Sequence, residues 1–295
     1  MENTPLEEDP RTGRVYMAKR YTRKEVINRL RDQVKKGKPI LMFGAGIGLT
    51  AKSAEIGGAD IIAVYSTAIY RMRGLPTLMA FMPYSDANEH VREMAREILP
   101  AVKEVPCIVG IGAHDPTLNR ELFLDEMMSM GFSGVTNEPF AGIYGPEFAS
   151  QLESAGIGFS REAELIKLAH SKDIFTVGWA FNPLEARKMA EAGADVVGAL
   201  VGVTVGGLTG AKKSLSLDEA TAAVQAMCDE AKKVNPEVMV LSHGGPFKDP
   251  ETAEYSIVHT DAVGYAAGSS GERMPTEKAV SEVTAMYKTM KLGKK

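Results

Sequence analysis

Short runs of consecutive apolar residues, each closing on glycine or a polar group and followed by a stretch of helical period, recur along this chain. Six of them are Pro39–Gly46, Ala59–Ser66, Val105–Gly112, Gly134–Pro139, Ile174–Phe181 and Asp195–Gly202. Two more, within Glu237–Pro246 and Ala262–Arg273, empty into glycines. Their apolar residues do not alternate with polar ones, so the strands they predict are buried on both faces, as in a parallel sheet. Helical patterns fill the gaps: Leu49–Ile56, Asp86–Leu99, Leu118–Met130, Gly145–Ser154 with Ser160–His170, one opening at Asn182-Pro183, Leu217–Lys233, and a last from Pro275. A weak repeat marks three junctions, Ala54–Ile62, Met128–Val135 and Ala190–Val197, where a helix ends in glycine and a strand begins.

Eight such alternations predict an α/β protein, a single (β/α)8 TIM barrel over residues 21–292, in preference to an open doubly wound sheet. Residues 1–20 are polar and carry Pro5, Pro10 and Gly13, which predicts a flexible arm outside the core. Thr22, with Glu25 three residues on, forms a capping box for an extra helix over Arg23–Lys36. That helix is expected to close the barrel floor or to meet a partner subunit. One connection breaks the rhythm: Thr67–Tyr84 is expected to be a long loop carrying Arg71 and Arg73, a length usually kept for lids.

Composition narrows the class. The 295 residues are 44% apolar with a net charge of −4, enough for one large core and a poor match to a nucleic-acid binder. No apolar run reaches the roughly 18 residues a membrane helix needs, and the acidic N-terminus does not resemble a signal peptide, so a cytoplasmic protein is expected. Cys107 and Cys228 have no metal-type spacing and read as buried thiols.

In a TIM barrel the carboxyl ends of the strands converge on one mouth. Glu138, directly after the fourth strand, is the leading candidate there for a general acid/base or a divalent-metal ligand, against a salt bridge to Arg71 or Arg73. His114 and Asp115 end the third strand and suit an acid/base histidine beside a Mg2+-binding carboxylate, although Asp115 also suits a helix cap. His243 is a third catalytic candidate. Gly244, Gly245, Gly268, Ser269 and Ser270, with Arg273, form the candidate phosphate site, because glycine backbones let an anion approach the N–H groups. Gly44, Gly46 and Ser66 stand at neighbouring strand ends, and Trp179 suits stacking on a planar substrate or packing in the core. The Gly44-Ala-Gly46-Ile-Gly48 run has the wrong spacing for a dinucleotide fingerprint.

With these residues placed, the chain resembles the phosphoenolpyruvate hydrolase-like family of TIM barrels, itself similar to indole-glycerol-phosphate synthase and, more remotely, to the phosphoenolpyruvate mutase and isocitrate lyase group. The resemblance covers about residues 20–290 and rests on Phe43–Gly48, Gly110–Pro116, Thr136–Pro139, Ser242–Pro246 and Gly268–Arg273. It implies an oligomeric hydrolase or lyase that cleaves a C–O or C–C bond in a small phosphorylated or carboxylated 2-oxo or enol acid. Mutase-group enzymes hold Mg2+ with a run of alternating aspartates and glycines, whereas the corresponding place here offers only Asp115. Two alternatives stay open: a barrel that binds a ligand without converting it, and an isomerase or synthase, which would want a strand-end lysine that this chain lacks.

Overall fold

The computed structural model describes residues 8–9, 14–15 and 18–293. Eight parallel strands close into one barrel in chain order: β1 (Ile40–Ala45), β2 (Ile61–Val64), β3 (Cys107–Ile111), β4 (Gly134–Asn137), β5 (Phe175–Ala180), β6 (Val196–Leu200), β7 (Met239–His243) and β8 (Gly264–Ala267). The ring shuts where β8 pairs back on β1, in register from Gly264 opposite Ile40 to Ala267 opposite Phe43. Every residue of β2 to β6 and of β8 is buried, inward side chains filling the barrel and outward ones lying under helices. That double burial is why the strands read as unbroken apolar runs.

Helix starts follow the capping residues. The first helix, α1 (Arg23–Lys35), carries the Thr22–Glu25 capping box. Its Arg23 reaches Asp195, just before β6, at 2.7 Å, and Asp173, just before β5, so α1 covers the floor of the barrel. Of the arm expected over residues 1–20, Glu8–Asp9 pairs antiparallel with Arg14–Val15, and most of the remainder lies outside the described residues. Both cysteines are buried and free.

The connection after β2 departs from the expected loop. Helix α2 (Gly48–Ile56) follows β1, and α3 (Ser66–Met72) then begins directly at the end of β2, with a 3-10 turn over Thr77–Phe81 before α4 (Ala87–Ile98). The apolar period of this stretch is short, and tertiary contacts decide it: Ser66 to Ala68, Tyr70 and Arg71 are all buried against the barrel mouth. The remaining helices are α5 (Arg120–Ser129), α6 (Pro146–Ser154), α7 (Phe159–Ser171), α8 (Pro183–Glu191), α9 (Leu217–Val234), α10 (Pro250–Val258) and α11 (Arg273–Lys288). The last is unlike its neighbours, since Arg273 is its one buried residue and everything from Lys278 to Gly293 is exposed. No helix among the described residues is long and apolar enough to cross a membrane.

Closure itself can be tested at Gly264, where a Cβ would sit 2.1 Å from the Ile40 carbonyl oxygen across the β8–β1 seam. Gly264→Ala must push two backbones apart and is expected to lower unfolding stability by about 3 kcal/mol, read as a reduced midpoint in urea denaturation.

Candidate active site

Within the ring, β4 delivers Glu138 to the mouth. Gly110 on β3 makes room, for a Cβ there would meet the Cβ atoms of Tyr65 at 2.5 Å and of Glu138 at 3.2 Å. The Glu138 side chain is 2% exposed and faces the first turn of α3. Ser66 donates its backbone N–H at 3.0 Å and its hydroxyl at 3.2 Å to one carboxylate oxygen, and the Thr67 N–H donates to the other at 3.1 Å. Burial pushes the Glu138 carboxyl up, these donors pull it back, and the balance leaves it at about 7. Among the described residues no arginine pairs with it, and Arg71 bonds Glu272 instead of forming the expected salt bridge.

Arg71, also on α3, is committed elsewhere. It bonds Glu272 through Nε and Nη2 at 3.2 and 3.0 Å, and Nη2 also donates to the Gly44 carbonyl. Glu272 is held in turn by the Gly46 N–H and the Thr50 hydroxyl, each at 2.6 Å. Burial works against the Arg71 charge, and Glu272 beside it outweighs that, keeping the guanidinium ionised. Tyr65 lies with its hydroxyl over Gly44 beside the guanidinium, where a Gly44 Cβ would come within 1.8 Å of the Tyr65 Oη. Burial raises the Tyr65 hydroxyl, which is therefore a proton-bearing donor at neutral pH.

His243 ends β7. Its Nδ1 lies 2.6 Å from the Ala266 carbonyl, which only accepts, so Nδ1 carries the proton and Nε2 a lone pair. Burial, with Arg71 close by, pushes its pKa down to about 4 and keeps the ring neutral. Trp179 lies against it with ring centroids 5.1 Å apart, and the Trp179 Nε1 has no partner.

These groups line one cavity that opens at the mouth, with Tyr65, Arg71, Glu138, Trp179, His243 and Ser269 among its walls. Phe81, Phe140, Ile143, Leu200 and Val203 supply the apolar part of the wall. Apart from Leu200 at the end of β6, those residues sit in short turns and loops and leave no pattern in the sequence, because they come together only when the ring closes. The buried Glu162 of α7 is another residue the sequence hides. It accepts from the Asn137 side chain and from the Ala141 N–H at 2.6 Å, which anchors the segment after Glu138, and burial pushes its carboxyl up to about 8.

Several expected site residues stand elsewhere. Ser66 faces Glu138, while Gly44 and Gly46 serve the Arg71–Glu272 pair through the Gly44 carbonyl and the Gly46 N–H. Gly244 and Gly245 pack on the 201–205 loop: the Gly245 N–H donates to the Gly202 carbonyl at 2.9 Å, and a Gly244 Cβ would lie 2.1 Å from that same oxygen. Gly268 lies against the His243 ring, and the Ser270 hydroxyl bonds Tyr265. Arg273 is not a cavity residue: buried, it pairs with Glu277 and donates to the Gly206 carbonyl. His114 is exposed and does not line the cavity. Asp115 turns onto Thr117 and lines a separate rim groove with Asp86 and Glu126. The cap of α5 is Asn119, not Asp115.

Asp115 and Glu138 therefore do not share a site. Among the described residues no group of three or more His, Cys, Asp and Glu side chains is placed to hold a metal ion. Glu138 already accepts three donors and Glu272 is bound to Arg71, so the residues present do not fit an Mg2+ cage built by the protein.

Fold and mouth together define a (β/α)8 barrel whose buried, near-neutral carboxyl shares a cavity with an arginine, a tyrosine and a neutral histidine. The profile of the Phosphoenolpyruvate hydrolase-like family matches residues 25–290, and the chain belongs to that family. It is 42% identical over 268 residues to the ToMV susceptible protein tm-1(GCR26) of Solanum lycopersicum, covering 90% of this chain and 36% of the relative. It is 30% identical over 277 residues to a putative transcriptional regulatory protein, y4pA, of Sinorhizobium fredii, covering 93% of this chain and 45% of that one. The chain thus spans less than half of the curated relatives it matches. Among solved structures, a phosphonopyruvate hydrolase in complex with oxalate and Mg++ superposes with a TM-score of 0.61 at 19% identity, over 89% of this chain and 87% of that one. A 2,3-dimethylmalate lyase of the phosphoenolpyruvate mutase/isocitrate lyase superfamily gives 0.59 at 13%, over 91% and 88%. At these identities the likeness establishes the fold.

Glu138 and Glu162, the buried carboxyls without a counter-charge among the described residues, have a measurable consequence. Both have folded pKa values raised above the usual carboxylate range, so above about pH 6.5, where the depressed histidines are neutral folded or unfolded, these two carboxyls bind more protons in the folded state and stability falls as pH rises toward 8. The melting temperature is expected to drop steadily from about pH 6.5 to pH 8, and Glu162→Gln to flatten that slope in differential scanning calorimetry.

Proposed function

We propose that this chain is a hydrolase or lyase that cleaves a C–O or C–C bond in a small 2-oxo or enol acid. The observation that carries the reading is Glu138, a buried carboxyl at about 7 in the cavity that Arg71 also lines. A group poised near working pH exchanges protons in both directions, as bond cleavage next to a carbonyl requires. Arg71 binds the substrate carboxylate, and the protonated Tyr65 hydroxyl beside it donates to the 2-oxygen, where negative charge builds as the enolate forms. Glu138 takes or returns the proton at the adjacent carbon. The lone pair on His243 Nε2 accepts from a hydroxyl or an attacking water. Ser66 and Thr67 hold the Glu138 carboxylate in one orientation. The enzymes among the solved neighbours, a phosphonopyruvate hydrolase and a 2,3-dimethylmalate lyase, support the reaction class by analogy of fold.

A second reading, a barrel that captures its ligand unchanged, is favoured by the names of the curated relatives, a virus susceptibility protein and a putative regulator. Turnover separates the two. With NMR following a panel of 2-oxo acids, Glu138→Gln is expected to lower kcat by roughly a hundred- to ten-thousand-fold while circular dichroism stays unchanged. Full activity in that variant would remove Glu138 from the mechanism, and no turnover of any acid by the wild type would favour the binding barrel. Parallel runs with EDTA and with added Mg2+ decide whether an ion accompanies the substrate.

We further propose a cytoplasmic homo-oligomer. The free cysteines are both buried, as suits a reducing compartment, and α11 presents Val280, Val283 and Tyr287 to solvent at spacings of three and four, an apolar stripe that no described residue covers, with exposed Met290 just past its end. Light scattering is expected to report an oligomer, and the double variant Val283→Asp/Met290→Asp a smaller species with an intact fold.

A further inference from the structure

The cavity has two unlike walls. On one side stand Phe81, Phe140, Trp179 and Leu200, each less than one-tenth exposed, with ring centroids 5.2 Å apart for Phe81–Phe140 and 6.3 Å for Phe140–Trp179. On the other stands Arg71, the one lysine or arginine among the lining residues. Its Nε and Nη2 donate to Glu272 and Gly44 and the Tyr65 hydroxyl interacts with the same guanidinium, while Nη1 is the nitrogen that neither Glu272 nor Gly44 takes up. Nη1 lies on the Gly268 side, 3.6 Å from where a Cβ on that glycine would be.

Charge limits what this arrangement accepts. The one guanidinium faces two carboxyl groups, its partner Glu272 and the proton-transfer group Glu138. A phosphate dianion would give up its water for a site without net positive charge, a cost that rises steeply with ligand charge. A single carboxylate matches the donor capacity that Glu272 and Gly44 leave on Nη1. The Gly245 N–H, which a phosphate cradle would need, is bonded to Gly202. Shape adds a second limit, since a three-carbon acid on Arg71 would leave the aromatic wall wet.

We infer that the mouth takes a monoanionic 2-oxo carboxylic acid with an aryl or branched-alkyl side chain, its carboxylate on Arg71 Nη1 and its side chain on the Phe81–Phe140–Trp179–Leu200 wall, in preference to a phosphorylated acid. This rests on reading the mouth as a 2-oxo acid site and names the substrate class within it. Replacing the methyl of pyruvate by an aryl group buries on the order of 100 Å2 more apolar surface, which converts to roughly fifty-fold in affinity.

Trp179 is the chain's sole tryptophan, so its fluorescence reports the wall directly. The experiment titrates Glu138→Gln protein, which holds ligands without converting them, with phenylpyruvate, 4-methyl-2-oxopentanoate, pyruvate, phosphoenolpyruvate and inorganic phosphate, and repeats each by calorimetry. Phenylpyruvate is expected to bind roughly fifty-fold more tightly than pyruvate and more tightly than phosphoenolpyruvate. Phe140→Ala should remove most of the aryl preference while pyruvate affinity changes little, and Arg71→Gln should abolish binding of every acid. Because Arg71→Gln leaves Glu272 without its partner, its fold is checked by circular dichroism, and Phe140→Ala carries the test on its own if that variant unfolds. Equal affinity for pyruvate and phenylpyruvate, tighter binding of phosphoenolpyruvate or phosphate, or no binding at all would each overturn the inference. Aryl-acid binding without turnover by the wild type would instead sink only the catalytic reading, and turnover of phosphoenolpyruvate without aryl binding only this one.

Discussion

A carboxylate taken almost wholly out of water is the constraint around which the mouth of this barrel is arranged. Ionised Glu138 is stable at 2% exposure only because two backbone N–H groups and a hydroxyl from the start of α3 replace part of its lost hydration. Those donors are neutral, so they offset burial without cancelling it, and the proton stays exchangeable near neutral pH. Glu272 is buried as well, and burial raises its carboxyl too, but its partners differ: it has Arg71 as a full counter-charge together with the Gly46 N–H and the Thr50 hydroxyl. Two glutamates a short way apart thus have different work. One is held by neutral donors alone and the other holds an arginine in place.

The fold serves that division through small residues and one early helix. Gly44 lets the Tyr65 hydroxyl and the Arg71 guanidinium approach the β1 backbone, and Gly110 lets Tyr65 and Glu138 pass each other inside the ring. Starting α3 at Ser66, with no spacer after β2, aims its first N–H groups at Glu138 and brings Arg71 into the cavity from the same short helix. Glu162 and Asn137 then tie down the chain that follows Glu138. Arg71, Glu138 and the donors that hold them are therefore contiguous, and a shift in α3 would disturb all of them together.

As a module, this barrel recurs inside longer chains. The tomato relative keeps 42% identity across nine-tenths of this chain while being far longer itself. Such retention is compatible with a self-contained ring whose seams lie inside the matched region, since β1 and β8 both fall within residues 25–290.

The sequence by itself determined the ring. Double burial imposes unbroken apolar strands, glycine and capping residues punctuate the helices, and both signals are local, so eight strands, the Thr22–Glu25 box and the strand-end position of Glu138 were all legible. Glycine was the misleading signal, because a glycine that admits an anion and one that admits a neighbouring backbone look alike in a sequence. Gly245 proved to be the second kind, bonded to Gly202, and Gly268 lies against the His243 ring. Contacts across the closed ring settled which polar groups face inward, sending Glu138, His243 and the α3 residue Arg71 to one cavity, Asp115 to a rim groove and His114 to solvent. The tertiary structure alone assembled the Phe81–Phe140–Trp179 wall and buried Glu162, because direction and partnership across a closed ring depend on contacts between residues far apart in the chain, which no local pattern encodes.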